Sequence, residues 1–143
     1  MKSLPTILIV DDDEGHAILI RENLESAGVP HRIEHFRDGQ AVLDFFASRP
    51  PSPGESYIVL LDIRMPKVDG IEVLRRMRAD PELRPLPIIM LTTTDDARDV
   101  QRCHQLGCSG YIQKPVDYDK FADAIRRIGL FVPLLLVPRV GAA

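Results

Sequence analysis

Tryptophan is absent from this 143-residue chain, cysteine occurs only twice, and aromatic residues make up 6% of the composition. The two cysteines, Cys103 and Cys108, lack the C-x-x-C spacing of redox and zinc-binding motifs, so we expect free thiols. An excess of positive charge is also missing, because the net charge is -3. Nucleic-acid-binding proteins usually carry a basic excess, and we therefore expect no nucleic-acid partner.

The sequence also has no apolar run long enough to cross a bilayer. The apolar segment 130–137 has eight residues and contains Pro133, whereas a membrane-spanning helix needs about 20 apolar residues. The first five residues lead directly into an apolar segment, without the features of a signal peptide. We expect a cytoplasmic protein without membrane contact. The length suits one domain, which we place at residues 1–129, followed by an apolar tail at 130–143.

Short apolar segments alternate with amphipathic ones along the domain. The predicted strands are 6–10, 31–36, 58–61, 88–91 and 110–113. Each is followed by apolar residues at helical spacing, and a Gly or a Pro ends each helical segment. Five such repeats predict an α/β fold, a doubly wound parallel sheet with helices on both faces and right-handed crossovers. Segment 58–61 is wholly apolar, which is typical of a central strand buried on both faces.

Chemically active residues stand at the ends of four of these five strands. Asp11 and Asp12 end the first strand, Asp62 the third, Thr92 the fourth and Lys114 the fifth. Doubly wound sheets bind their ligands at the carboxyl ends of the strands. We therefore expect these side chains to converge, although they are distant in sequence.

The chemistry of this set favours a metal ion and a phosphoryl group. Three crowded carboxylates raise one another's pKa unless a cation lies among them. Oxygen ligands without neighbouring Cys or His favour Mg²⁺ or Mn²⁺ over zinc. With the Lys114 ammonium and the Thr92 hydroxyl added, the site suits a phosphoryl group, whose oxygens need positive charge during transfer. We interpret Asp62 as the acceptor.

These residues resemble the receiver domain of two-component response regulators. The matching pieces are ILIVDDD at 7–13, LLDIRMPKVDG at 60–70, LTT at 91–93 and GYIQKP at 110–115. The match runs from residue 6 to residue 128, nearly the whole chain. It implies a flavodoxin-like sheet of order 2-1-3-4-5 with five helices. It also implies a stand-alone signalling protein that switches its surface for partner binding.

The resemblance implies the following roles at the acidic site. Asp62 would accept a phosphoryl group from the phosphohistidine of a histidine kinase. Asp12 would bind Mg²⁺ directly and Asp11 partly through water. The backbone carbonyl of Arg64 would be a third protein ligand of the metal, beside the Asp62 carboxylate.

Further roles follow from the same resemblance. Lys114 would pair with Asp62 and then with the phosphoryl group, and the Lys114-Pro115 bond would be cis, as X-Pro bonds can be at modest cost. Thr92 and Tyr111 would form the switch, the hydroxyl moving toward the phosphoryl oxygen and the aromatic ring rotating inward behind it. Tyr111 also has the simpler interpretation of a core aromatic residue.

Three other aspartates have structural interpretations that we favour. Asp13 extends the acidic pair, but it also suits the N-cap of the first helix. Asp69 and Asp95 stand at or just before predicted helix starts. We therefore leave all three out of the ligand set.

The four histidines carry no predicted role. His31 and His35 lie four residues apart on the second predicted strand and could share one face, but we do not favour a metal site there. His16 and His104 are expected to be solvated.

An enzyme is the alternative to a signalling switch. A Mg²⁺-dependent phosphohydrolase can also use an aspartate nucleophile, but it usually needs a second carboxylate nearby as acid and base. Arg64 occupies that neighbourhood, and no segment is long enough to form a cap over a substrate. We expect a phosphoacceptor protein with at most slow autodephosphorylation.

Two partner predictions concern the surface and the tail. The acidic segment 11–16, Asp-Asp-Asp-Glu-Gly-His, and the apolar tail are similar to those of stand-alone receivers that pair with bacterial phytochrome kinases. The exposed tail would form an apolar patch of a kind that monomers avoid, so it must be covered. It can fold back on its own domain or bury itself in a homodimer, and we favour the homodimer.

Overall fold

The computed structural model describes residues 5–93 and 96–127, and strands alternate with helices throughout. The elements are β1 Thr6–Val10, α1 Glu14–Ser26, β2 Ile33–Phe36, α2 Gly39–Ser48, β3 Tyr57–Asp62, α3 Gly70–Ala79, β4 Ile88–Thr92, α4 Ala97–Leu106, β5 Gly110–Gln113 and α5 Tyr118–Arg127. The predictions for Asp95, for the end of the last helix at residues 128–129 and for the tail lie outside the described residues.

The five strands form one parallel sheet of order β2-β1-β3-β4-β5. Val10 pairs with Leu61 across β1 and β3, and Asp62 pairs with Leu91 across β3 and β4. This register brings the carboxyl ends of the inner strands to the same edge of the sheet. The doubly wound fold, the five helices and the strand order are confirmed.

The core has two layers, one on each face of the sheet. Alternate residues of β1 separate the layers, since Ile7 and Ile9 pack with α1 and α5, whereas Leu8 and Val10 pack with α2 and α3. Every residue of β3 is buried, as the apolar run predicted. The sheet is therefore covered on both sides, and its carboxyl edge is the place where polar side chains of the inner strands collect.

Aspartates begin three of the helices that leave this edge. The side chains of Asp13, Asp38 and Asp69 accept hydrogen bonds from the third residue beyond each of them, at the starts of α1, α2 and α3. The predicted cap role of Asp13 and the structural role of Asp69 are confirmed. In addition, Gly107 ends α4 with φ of 94°, a left-handed conformation that glycine adopts without strain.

The second strand is shorter than predicted. It begins at Ile33 rather than at His31, because regular pairing with β1 begins where Ile7 meets Ile33. His31 lies before the strand and is buried, whereas His35 is within the strand. The two imidazoles therefore do not form the shared strand face that their spacing allowed.

Candidate functional site

Three aspartates meet at the carboxyl edge of the sheet. Carboxylate oxygens of Asp11, Asp12 and Asp62 all lie within 4.8 Å of one another. Asp11 and Asp62 are buried, and Asp12 is exposed. The Nζ atom of Lys114 lies 3.1 Å from Oδ1 of Asp62 and 3.5 Å from Oδ2 of Asp11. The predicted convergence also included Thr92 at the end of β4, and the structure shows these contacts for the ends of β1, β3 and β5.

The electrostatics of the cluster are unbalanced toward negative charge. Burial, and after it the neighbouring Asp11 carboxylate, raise the pKa of Asp62 to about 6, although Lys114 acts in the opposite direction. Burial also acts to raise the pKa of Asp11, but hydrogen bonds from His16 and the Asp13 amide, together with Lys114, outweigh it and lower that pKa. The pKa of Lys114 is raised, since the two carboxylates outweigh the effect of its burial.

This donor set fits a hard divalent cation. The three carboxylates offer oxygen ligands, one of them from the exposed Asp12, so an ion can be reached from solvent while keeping water ligands. Burial is the main cause of the raised pKa of Asp62, and a cation between the carboxylates would offset the second cause, the repulsion from Asp11. Mg²⁺ or Mn²⁺ therefore suits the cluster, with Asp11, Asp12 and Asp62 as the side chains that would hold it.

Arg64 follows Asp62 by two residues, and its side chain is directed to α4. Its guanidinium pairs with Asp96 at 3.2 Å and with Asp99 at 2.9 Å. Asp96 is buried and also accepts a hydrogen bond from the Thr93 amide at 2.8 Å. The side chain at this position is therefore an ion-pair partner of the α4 start, and the role of the Arg64 carbonyl as a metal ligand stays a prediction.

Thr92 and Tyr111 differ in exposure. Thr92 is buried at the end of β4, with its Oγ1 atom 3.5 Å from the carbonyl oxygen of Ile112. Tyr111 is 49% exposed, and its ring lies against that of His104, with centroids 5.5 Å apart. The interpretation of Tyr111 as a core aromatic residue is therefore wrong for this conformation, in which the ring lies at the surface.

Two histidines contact Asp11, and sequence reasoning missed both. Nδ1 of His16 lies 2.6 Å from Oδ2 of Asp11, and the His16 side chain is only 9% exposed. Nε2 of His35 donates to the Asp11 carbonyl oxygen at 2.7 Å. The expectation that His16 is solvated is wrong, because the first turn of α1 brings the ring back over the end of β1. His104, by contrast, is exposed as expected.

The expected free thiols and the Lys114-Pro115 geometry are both present. Cys103 is buried and Cys108 is partly buried, and neither forms a disulfide. Lys114-Pro115 is the cis peptide bond that the resemblance implied. Among the described residues, no helix has the length and apolar character needed to cross a membrane.

The family model of the response regulator receiver domain matches residues 7–126 of the sequence, which is most of the chain. The chain belongs to the response regulator receiver family. Receivers act as signalling proteins rather than as classical enzymes, and they pair with histidine kinases. This assignment, together with an arginine at position 64 whose guanidinium is held by Asp96 and Asp99, leaves no support for the phosphohydrolase alternative.

The matches to individual relatives cover most of this receiver and most of each relative. The polar-differentiation response regulator DivK of Brucella anthropi is 32% identical, over 85% of this chain and 93% of that protein. The bacteriophytochrome response regulator AtBRR is 33% identical, covering 90% of this chain and 95% of the other, with a TM-score of 0.80. A receiver domain from Rhodospirillum rubrum is 42% identical, covering 88% and 92%, with a TM-score of 0.69. The receiver therefore resembles single-domain response regulators.

Proposed function

We propose that this receiver is a single-domain response regulator that accepts a phosphoryl group on Asp62 from a histidine kinase, with Mg²⁺ bound beside it. The observation that carries the proposal is the contact of the Lys114 ammonium with the buried Asp62 carboxylate, inside a cluster of three aspartates. Nucleophile, positive charge and metal ligands are then available at one point, which is what phosphoryl transfer requires.

In this mechanism an Asp62 oxygen attacks the phosphorus of a phosphohistidine. An O–P bond forms while the N–P bond breaks, and the imidazole of the kinase leaves with the electron pair of that bond. Mg²⁺ held by Asp11, Asp12 and Asp62 would supply positive charge to the phosphoryl oxygens. Lys114, already 3.1 Å from Asp62, can follow the transferred group, because its charge then neutralises a phosphoryl oxygen instead of the carboxylate.

The switch step would involve Thr92 and Tyr111. The hydrogen bond of the Thr92 hydroxyl to the Ile112 carbonyl is long, at 3.5 Å, so its loss would cost little when the hydroxyl turns toward a phosphoryl oxygen. Inward rotation of the half-exposed Tyr111 would then change the surface formed by α4, β5 and α5. Partner binding at that surface is the proposed output, with only slow autodephosphorylation.

The test is incubation with acetyl phosphate and Mg²⁺, followed by intact-mass spectrometry. We expect one added phosphoryl group in the wild-type protein and none in Asp62→Asn or without metal. The amide of Asp62→Asn keeps the shape, removes the nucleophile and relieves repulsion with Asp11. The variant should therefore unfold at the same denaturant concentration as the wild type or a higher one, which shows that it is folded. Unchanged labelling of this variant would exclude Asp62 as the acceptor.

The partner kinase is proposed to be a bacterial phytochrome. This rests on similarity to AtBRR, which is described as a bacteriophytochrome response regulator. A phosphotransfer profile tests it, in which phytochrome and non-phytochrome kinases are autophosphorylated and mixed with the receiver. Fastest transfer from a non-phytochrome kinase would reject this partner.

A cytoplasmic homodimer completes the proposal. Segment 130–137 contains a run of large apolar side chains, at Phe131, Leu134, Leu135, Leu136 and Val137. The two described core layers already account for the sheet and five helices, so a second protomer is the favoured cover for this segment. A twofold arrangement would bury both tails in one isologous interface.

A further inference from the structure

Asp11 is held more completely than the other aspartates of the cluster. Its amide donates to the Phe36 carbonyl at 3.0 Å, and its carbonyl accepts from His35 at 2.7 Å. Its Oδ1 atom accepts from the Asp13 amide at 2.9 Å, and Oδ2 lies 2.6 Å from Nδ1 of His16. Both the backbone and the carboxylate of Asp11 are therefore fixed from several directions.

The donor and the acceptor of the hydrogen bond between His16 and Asp11 can be assigned. An ionised carboxylate can only accept hydrogen bonds, so Nδ1 of His16 is the donor and carries the hydrogen. Donor and acceptor are also buried together, since the two side chains are 9% and 0% exposed. A hydrogen bond to a carboxylate is stronger than one between neutral groups, and in this position water does not compete for it.

The helix start holds the His16 ring in this place. The Asp13 cap accepts from the His16 amide at 3.1 Å, which fixes the backbone of the residue that carries the ring. The amide of Asp13 itself donates to Asp11. The cap, the imidazole and Asp11 thus form one closed set of hydrogen bonds beside the metal site.

Asp12 and Asp62 have no such support. Among the described residues, no hydrogen bond or ion pair is recorded for the exposed Asp12 carboxylate, and the Asp62 carboxylate contacts the flexible Lys114 side chain. In the described part of the chain, Asp11 is the only one of the three with a backbone amide on one carboxylate oxygen and a buried imidazole on the other. Its orientation toward the other two carboxylates is therefore set by groups of this chain.

We propose that His16 is a positioning residue of the metal site, which holds the Asp11 carboxylate in the orientation needed to bind the cation. The inference rests on the proposed function, because it concerns the same site. Hydrogen-bond partners of carboxylate ligands commonly contribute about 10-fold to 100-fold to metal affinity. We expect the lower end of that range, since the Asp13 amide still holds one oxygen when His16 is changed.

The test measures Mn²⁺ affinity from the electron paramagnetic resonance signal of the free ion, with no phosphoryl donor present. His16→Leu introduces an apolar side chain of similar length that has no hydrogen-bond donor. This variant should bind Mn²⁺ about tenfold more weakly than the wild type. His16→Asn carries an amide nitrogen at the place of Nδ1 and should recover most of the affinity. A role in packing alone predicts the opposite order, because Leu fills the space better than Asn.

A double-mutant cycle separates the contact from other effects. In an Asp11→Asn background, His16→Leu should cause little further loss, because the carboxylate that it positions is gone. Equal Mn²⁺ affinity in wild type, His16→Leu and His16→Asn, or tighter binding in His16→Leu, would overturn the role of His16. Thermal unfolding of each variant verifies that the compared proteins are folded.

The outcome can be distinguished from failure of the proposed function. If wild-type protein takes up no phosphoryl group from acetyl phosphate, the acceptor assignment fails, but the Mn²⁺ comparison still decides the role of His16. If wild type is phosphorylated on Asp62 and the affinities do not differ, the function stands and the positioning role is wrong.

Discussion

Asp11, Asp12 and Asp13 are adjacent in sequence, but their carboxylates have different surroundings. Asp11 is buried among hydrogen-bond donors, Asp12 is exposed at the mouth of the cluster, and Asp13 caps α1. The sequence predicts these different roles, because Asp11 and Asp12 stand at the end of a strand, whereas Asp13 stands where a helix N-cap is expected. The contact of His16 could not be anticipated in that way, because it depends on how the first turn of α1 leaves the sheet. A histidine three residues beyond an N-cap, beside an acidic strand end, is the signal that was available.

The first prediction compares Asp12 with Asp13, the last two members of this triplet. Asp12→Ala should weaken Mg²⁺ binding strongly and slow phosphorylation, because a single carboxylate is a large share of a site with few protein ligands. Asp13→Ala should mainly lower the free energy of unfolding by about 1 kcal/mol through loss of the cap. Calorimetric titration with Mg²⁺ and urea unfolding of both variants distinguish the two effects. Equally poor Mg²⁺ binding by both would contradict the division between ligand and cap.

The second prediction concerns pH and His31. This side chain is 6% exposed, and neither ring nitrogen has a hydrogen-bond partner among the described residues. Burial lowers its pKa in the folded protein below 6.5, so the unfolded chain binds the proton more tightly. The resulting contribution to stability is present above pH 6.5 and is lost as pH falls from 6.5 toward the folded pKa.

Urea unfolding at pH 7.5 and 5.5 measures this effect when wild type is compared with His31→Phe. We expect wild type to lose up to about 1.4 kcal/mol more than the variant over this range, since one pKa unit corresponds to that energy. The other titrating groups, including Asp62, are common to both proteins and cancel in the difference. Identical pH dependence of the two proteins would show that His31 is not responsible.

At the scale of elements, the alternation of strands and helices was predictable because each segment carries a clear hydrophobic period. The start of β2 was not, since His31, Arg32 and Ile33 form no strong pattern and pairing with β1 decides where the strand begins. The strand order also depends on long-range pairing, and only the family resemblance supplied it. Contacts between a loop and a helix start, such as that of Arg64 with Asp96, leave no periodic signal at all.

The third prediction tests the junction between β3 and α3. Gly70 begins α3 so close to the preceding strand that an added Cβ would overlap with the backbone of Asp62 and Ile63. Its amide also donates to the Ile63 carbonyl at 2.8 Å, which fixes the approach. Backbone atoms cannot move aside as a flexible side chain can. Gly70→Ala should therefore lower the free energy of unfolding by about 1–3 kcal/mol and slow labelling of Asp62.

A second glycine of the same chain is the matched control. Gly15 lies in the first turn of α1 and is exposed, and a Cβ there would come no closer than 3.4 Å to a neighbouring atom. Gly15→Ala should raise the free energy of unfolding by up to about 1 kcal/mol, because alanine favours a helix. Effects of the same sign at both positions would refute the close-approach argument.

At the scale of the whole molecule, the described domain buries its apolar side chains on both faces of one sheet, while the sequence continues into an apolar segment. The hydrophobic pattern indicates that this segment must be buried against another surface. It does not show whether that surface belongs to the same chain or to a second protomer. Association must therefore be measured, and light scattering at several protein concentrations is the direct method.

The last prediction is that deletion of residues 130–143 converts a homodimer into a monomer. The segment cannot extend the last helix regularly past Pro133, so its apolar side chains are available for an isologous interface. Asp62 lies within the described domain at the carboxyl edge of the sheet, so the truncated protein should still be labelled by acetyl phosphate. Deletion of residues 141–143 alone removes no large apolar side chain and should leave the dimer intact. A monomeric full-length protein, or a truncated protein that dimerises with undiminished affinity, would show that the segment folds back on its own domain or has no part in association.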